Sequence, residues 1–245
     1  MRGYLVRIGV DQAYGGWNAP MNPEANDFVY VPIPESRPMR TELATPYTLI
    51  QSALAKFEAA HPAASPRHCR LPWNLAAANM HLDPDFEHLT YGDSGTRRGK
   101  GLTDLCPGDL VVFYSGLKPV AACEHRLVYA LVGLYRVAES VRVQSVSEPR
   151  WSENAHTRCM DREGSDVIVR AKPGSSGRLK QCIPIGEFRT RAYRVQSAIL
   201  AEWGGLSCRD GYLQRSAVLP TLLDPRRFMR WVDRQSPEFV SSNNP

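Results

Sequence analysis

Two apolar runs constrain the fold of this chain more than anything else in it: Leu110-Val111-Val112-Phe113-Tyr114, and the eleven residues from Leu127 to Val137. Both are rich in β-branched and aromatic residues and are nearly continuous, the pattern of buried strands. Cys106-Pro107-Gly108-Asp109 supplies a turn into the first. A buried sheet needs other elements to pack on it, and three stretches have helical spacing. Residues 46 to 60 place Leu49, Ile50, Ala53, Leu54 and Phe57 on one stripe, with Thr45 as N-cap and Pro46 as first helical residue. Residues 193 to 203 carry Val195, Ile199, Leu200 and Trp203 and stop at Gly204-Gly205. Asp224-Pro225 opens the third, with Phe228, Trp231 and Val232 as its apolar side. Shorter strands are expected over residues 4 to 10, Phe28–Val31 and Asp166–Arg170.

The Pro-Gly-Asp turn, the strand ending in an aromatic and the following Val132-Gly133-Leu134-Tyr135-Arg136-Val137 resemble small PUA-like and EVE-like barrels. The expected fold class is α+β, with a β-rich mixed sheet or PUA-like barrel core and about three packing helices. A chain of 245 residues, 43% apolar, can bury one full core, so residues 1 to 235 are expected to form a single domain. The polar segment 236–245 is expected to be a disordered tail. Six cysteines with no Cys-x-x-Cys pair argue against a zinc site built from local motifs and read as reduced thiols. The first ten residues lack a signal peptide's apolar core, and no uninterrupted apolar run is long enough to span a bilayer, so a cytoplasmic protein with no membrane partner is expected. The net charge of +5 permits a polyanionic partner without requiring one.

The densest chemistry lies in His81-Leu82-Asp83-Pro84-Asp85-Phe86-Glu87-His88-Leu89-Thr90-Tyr91-Gly92-Asp93. If residues 81 to 87 run extended, His81, Asp83, Asp85 and Glu87 share one face, while Leu82, Pro84 and Phe86 share the other. Such a face can act as an acid/base group, its carboxyls driven apart in pKa by mutual repulsion, or hold a divalent metal through Asp83 and Asp85. A solvated turn is the bland alternative, and Pro84 favours it. Arg97 and Arg98 follow in a basic glycine-rich segment that can hold phosphate.

Other stretches carry weaker signals. Tyr14-Gly15-Gly16-Trp17 is a glycine pair between aromatics able to stack on a planar ligand, or a loop with aromatics tucked into the core. Asn154 and His156 can read a base edge or support proton transfer, or simply form a hydrogen-bonded turn. The glycine-serine segment 172–180 can cradle phosphate with Arg178 and Lys180, although it lacks a Walker ending. Arg226, Arg227, Arg230 and Arg234 on the last helix are either phosphate contacts or solvated cations.

Taken in order, several of these pieces resemble the third class of nucleotide modification associated domains. They are Arg7-x-Gly9-x-Asp11 with Tyr14-Gly15-Gly16, then Tyr30-Val31-Pro32-Ile33-Pro34-Glu35, the 81–87 motif with Thr90-Tyr91-Gly92-Asp93, and residues 107–117. Glu153-Asn154-x-His156, residues 177–180 and Gln214-Arg215-Ser216 also fit. The resemblance implies a protein of phage or bacterial systems that modify, or hypermodify, DNA bases, with nucleotide or DNA and other base-modification proteins as partners. It supplies no reaction. The first expectation is an enzyme acting on a nucleotide or DNA base, with His81, Asp83, Asp85 and Glu87 as the acid/base or metal-binding group. Substrate contacts would come from Arg7, Asp11, Tyr14, Trp17, Tyr91, Asp93, Tyr114, Asn154 and His156. The cofactor is open, a divalent metal being possible. The alternative is a PUA/EVE-like module that binds a modified or flipped base without chemistry, between aromatics such as Trp17, Tyr91 and Tyr114.

Overall fold

A computed structural model describes residues 1–62, 66–162, 164–214 and 218–244, without the side chains of Pro66, Arg97 and Arg98. In chain order the strands are β1 (Gly3–Arg7), β2 (Pro20–Met21), β3 (Ile33–Pro34), β4 (Met80–His81), β5 (Thr90–Asp93), β6 (Leu110–Pro119), β7 (Val128–Arg142), β8 (Val167–Ala171), β9 (Gly177–Pro184), β10 (Gly186–Arg189), β11 (Ala192–Val195) and β12 (Phe239–Val240). The α-helices are α1 (Gln51–Ala60), α2 (Pro66–Cys69), α3 (Trp73–Ala76), α4 (Ala155–Arg158), α5 (Ser197–Trp203) and α6 (Pro225–Gln235).

The two apolar runs become β6 and β7, paired antiparallel from Leu110 opposite Arg136 to Leu117 opposite Val128. Their continuous hydrophobicity has a direct cause in the layering. Alternate residues of β6 enter different cores: Val111 and Phe113 pack with Phe86, Tyr91, Tyr135 and helix α1, whereas Leu110, Val112 and Tyr114 pack with helices α5 and α6. Full burial of each such side chain contributes about 1.5–3 kcal/mol. Around this pair stands an eight-stranded mixed sheet. Strand β1 runs parallel to β6, while the fifteen-residue β7 also pairs with β9 and, from Val137 onward, with β8. Strand β5 adds to β8. The fold is therefore α+β on a mixed sheet, and no closed barrel forms among the described residues. Helices α1, α5 and α6 are the three packing helices; α2, α3 and α4 are four residues each.

Several local expectations are corrected. Thr45 does not cap α1: its hydroxyl donates to the Met80 carbonyl, and a 3-10 turn over Tyr47–Ile50 precedes the helix. Phe28–Val31 is buried but forms no strand, because the backbone N–H and C=O of Tyr30 are taken by the Asn244 side chain instead of a neighbouring strand. Residues 193–195 belong to the β10–β11 hairpin, and the helix begins at Ser197. The segment 236–244, expected to be a frayed tail, packs back onto the sheet. Strand β12 pairs with β9, and the buried Asn243 accepts a hydrogen bond from the Phe86 N–H.

Candidate functional site

Strand β1 ends at Arg7, and the chain then enters a loop over residues 8 to 18. Asp11 fixes this loop: its carboxylate accepts hydrogen bonds from the Ala13 and Tyr14 N–H groups and pairs with Arg7 at 2.9 Å. On the opposite side, β4 pairs with β3, setting His81 opposite Ile33. A third wall comes from β5, which carries Tyr91, Gly92 and Asp93. Together these elements enclose a cavity of about 420 Å3 lined by Arg7, Gly9, Asp11, Tyr14, His81, Asp83, Tyr91, Gly92, Asp93, Ser94 and His156. Its size falls within the ~300–1,000 Å3 of small-molecule pockets.

At the floor lie His81, Asp83 and His156. One potential metal-ligand atom from each lies within 4.8 Å of the other two. Asp83 Oδ2 is 3.9 Å from Nε2 of His81 and 3.9 Å from Nε2 of His156. The rings meet edge to face, with centroids 5.1 Å apart. Each imidazole is oriented from behind by a carboxylate: His81 Nδ1 lies 2.6 Å from Glu35 Oε2, and His156 Nδ1 lies 2.6 Å from Asp166 Oδ2. Because a carboxylate only accepts, both Nδ1 atoms carry the proton, and in the neutral rings both Nε2 atoms present lone pairs to the cavity. Arg37 ties the two supports together, donating through its guanidinium to Asp166 and through its backbone N–H to Glu35.

Asp83 is held just as firmly. Its Oδ1 accepts from the Gly92 N–H and from Asn154 Nδ2, both at 2.8 Å. Asn154 is also the N-cap of helix α4, accepting from the His156 N–H, so a single side chain clamps Asp83 and starts the turn that carries His156. Gly92 is needed for this packing: a Cβ there would lie 2.3 Å from His156 Cδ2 and 2.5 Å from Asn154 Oδ1. Burial raises the Asp83 carboxyl above its ordinary value, even though both imidazoles and its hydrogen bonds pull it down. Burial also pushes Glu35 up, but the hydrogen bond and charge of His81, with help from Arg37, outweigh it and hold Glu35 at about 2. Asp166 is likewise lowered, burial being outweighed by His156 and Arg37.

The cavity gathers eight of the residues singled out in the sequence: Arg7, Asp11, Tyr14, His81, Asp83, Tyr91, Asp93 and His156, with Asn154 directly behind. It does not gather the rest. The expected alternation fails after Asp83 because the strand stops at His81 and Asp85 instead bridges to Thr90 across a turn. Asp85 is buried elsewhere, accepting from Arg158 at 2.6 Å, His88 at 3.0 Å and Asn243 at 3.1 Å; burial pushes its carboxyl up, but His88 and Arg158 outweigh it and lower it. It is a structural hub. Glu87 is exposed and does not line the cavity. Tyr114 is buried between layers and donates to the Leu213 carbonyl.

Neither cation expected from the glycine-serine segment reaches the cavity. The segment leads into β9, whose register sets Arg178 opposite Gly133, and the guanidinium is buried over the Phe28 ring, donating to the Ser242 and Leu179 carbonyls. Burial lowers its pKa to about 10. Lys180 pairs with Glu238 on the surface. The side chains of Arg97 and Arg98, and residues Arg215 and Ser216, lie outside the described part of the chain. Trp17 lines a neighbouring cavity of about 660 Å3 with Phe188, Tyr193, Lys118, His125 and Arg126. Gln12 and Gly16 of the 11–18 loop also border it, whereas Asp11 and Tyr14 face the first cavity. Sequence reasoning assigned no role to Glu35, Arg37 or Asp166. Glu35 stood inside a quoted motif without a partner; for Asp166, next to a strand, no local signal existed.

No curated protein and no solved structure matches this chain. No helix among the described residues is long and apolar enough to cross a membrane. Residues 2–203 match the family of nucleotide modification associated domain 3, a span that contains the whole His81–Asp83–His156 centre and its supports, and the chain belongs to that family.

Proposed function

We propose that this protein is an enzyme of a nucleotide- or DNA-modification system and that the cavity around His81, Asp83 and His156 binds the base or nucleotide that is changed. The observation that carries this reading is the convergence of two oriented imidazoles and a clamped carboxylate at the floor of a ligand-sized cavity. Tyr14 and Tyr91 supply aromatic wall for a planar base, while Arg7, Asp93 and Ser94 supply polar contacts along the rim. A non-catalytic reader built on an aromatic cage is less well supported, because Trp17, Tyr91 and Tyr114 occupy three separate environments. The cavity beside Trp17, with Lys118 and Arg126 in its wall, favours a substrate nucleotide within a strand over a free one.

Blocking the cavity tests the reading. Ala13 is exposed and lines the cavity, and only its backbone N–H holds Asp11, so Ala13→Trp obstructs the entrance without touching the core. Titration with mononucleotides and short single-stranded oligonucleotides should show saturable binding to the wild type, weakened at least about tenfold in Ala13→Trp, the loss of roughly 1.4 kcal/mol. Equal affinity of both proteins for every nucleotide tested sinks the assignment of this cavity.

A further inference from the structure

Resting on the assignment of this cavity as the functional site, we infer that Nε2 of His81, Oδ2 of Asp83 and Nε2 of His156 form a three-ligand site for a divalent first-row transition metal ion. The donor arrangement shows why. With Nδ1–H of each histidine committed to a carboxylate, both Nε2 lone pairs face an Asp83 oxygen that is itself electron-rich, at 3.9 Å on either side. None of these three atoms makes a hydrogen bond to another, and His156, only 7% exposed, makes no hydrogen bond through Nε2 among the described residues. Three lone-pair donors within 4.8 Å of one another form a donor set that a cation would hold together.

Charge and geometry agree with that cation. Glu35, Asp83 and Asp166 bring three negative charges to side chains 3%, 5% and 0% exposed, and Arg37 offsets one. Two positive charges are still needed, and a divalent ion supplies them with both rings neutral, in place of the imidazolium charge that otherwise acts on Glu35. Bonds of about 2.1 Å would place neighbouring ligand atoms about 3.0 Å apart in an octahedral site and about 3.4 Å apart in a tetrahedral one. The 3.9 Å from Asp83 to each histidine closes to either through shifts of a few tenths of an ångström per atom, and the two histidine ligand atoms, within 4.8 Å of each other, close by under about 1 Å each. The supports are those that metal-binding histidines use, since a carboxylate behind each ring fixes its tautomer and raises its basicity. Asp83 contributes one oxygen because Gly92 and Asn154 occupy the other. Two imidazoles and one carboxylate on one side leave coordination positions open toward the cavity, where a substrate atom or water can bind.

Cobalt(II) is a direct probe, because its visible absorption reports nitrogen and oxygen coordination without any substrate. Chelator-treated full-length protein should take up one equivalent of Co2+ with a visible band, and Zn2+ should displace it. His81→Asn and His156→Gln, each checked by melting curve, should weaken binding more than about 100-fold, and Glu35→Gln or Asp166→Asn should weaken it about 10–100-fold. Absence of a saturable Co2+ band in wild type overturns the inference, as does an unchanged band in both histidine variants. The readout uses no nucleotide. A wild type that binds nucleotide in a manner blocked by Ala13→Trp but takes up no metal would overturn the metal site alone, leaving a pair of imidazoles as the acid/base centre.

Discussion

Replacing Asn154 separates the parts of this account most sharply, because its buried side chain serves both the fold and the cluster. Asn154→Ala removes the hydrogen bond to Asp83 Oδ1 at 2.8 Å, a weaker one to Thr90 Oγ1 at 3.3 Å, and the cap on the His156 N–H at 3.0 Å. The lost cap costs about 1 kcal/mol and the lost bond to a buried carboxylate about 1.5–3 kcal/mol. The total, about 2.5–4 kcal/mol, corresponds to a melting temperature lower by about 5–15 °C in a chain of this length. Asn154→Asp isolates the second function: aspartate caps as well as asparagine, but it sets a second carboxylate against Asp83. Its stability deficit should therefore shrink steeply on acidification, as one carboxyl of the pair takes up a proton, whereas that of Asn154→Ala should shrink less, by no more than the lost hydrogen bond to ionised Asp83. Differential scanning calorimetry between pH 5 and pH 8 reads both. A melting temperature within about 2 °C of wild type for Asn154→Ala, or parallel pH profiles for the two variants, would refute the reasoning.

The acid limb of stability should depend on Glu35. Its folded-state carboxyl is held at about 2 against an ordinary value of 4.5, so the unfolded chain binds the proton more readily. The contribution is fully present above about 4.5, fades as pH falls and is gone near 2; Glu35→Gln should flatten this part of a pH-dependent melting series, and an unchanged acid limb would contradict the ion pair with His81. Gly92→Ala should lower stability by about 1–3 kcal/mol and displace the His156 ring, and a denaturation midpoint equal to wild type would show that the ring has room to move. Asp85→Asn should cost about 3–5 kcal/mol by leaving the buried Arg158 uncompensated, while Co2+ affinity measured on the folded fraction stays within about threefold of wild type. A selective loss of metal would restore Asp85 to the centre.

Legibility followed the range of the interactions. Strands β6 and β7 were readable because a sheet covered on two faces forces continuous apolar sequence, and α6 because Asp224 caps it at the residue before Pro225. One wall and two members of the centre were readable for a similar reason, since His81, Asp83, Tyr91 and Asp93 lie within thirteen residues and reach one cavity. Asp85 misled because alternation was extended past the end of β4. Its carboxylate faces inward to Arg158, a residue remote in sequence. Arg178 misled because a glycine-serine turn with cations looks alike whether it cradles phosphate or closes a hairpin, and only the register with β7 shows the side chain to be buried. The supports Glu35 and Asp166 act across the β3–β4 pairing and the α4–β8 junction. No local pattern encodes which distant histidine a carboxylate will meet.

The central claim, that the His81–Asp83–His156 cavity carries out a nucleotide or base modification, is tested most directly by nucleoside mass spectrometry. DNA and nucleotide pools from cells carrying the wild-type protein with its native modification system should contain a modified nucleoside that disappears when His156→Gln replaces it at equal protein level. An identical nucleoside profile with both proteins would contradict the claim.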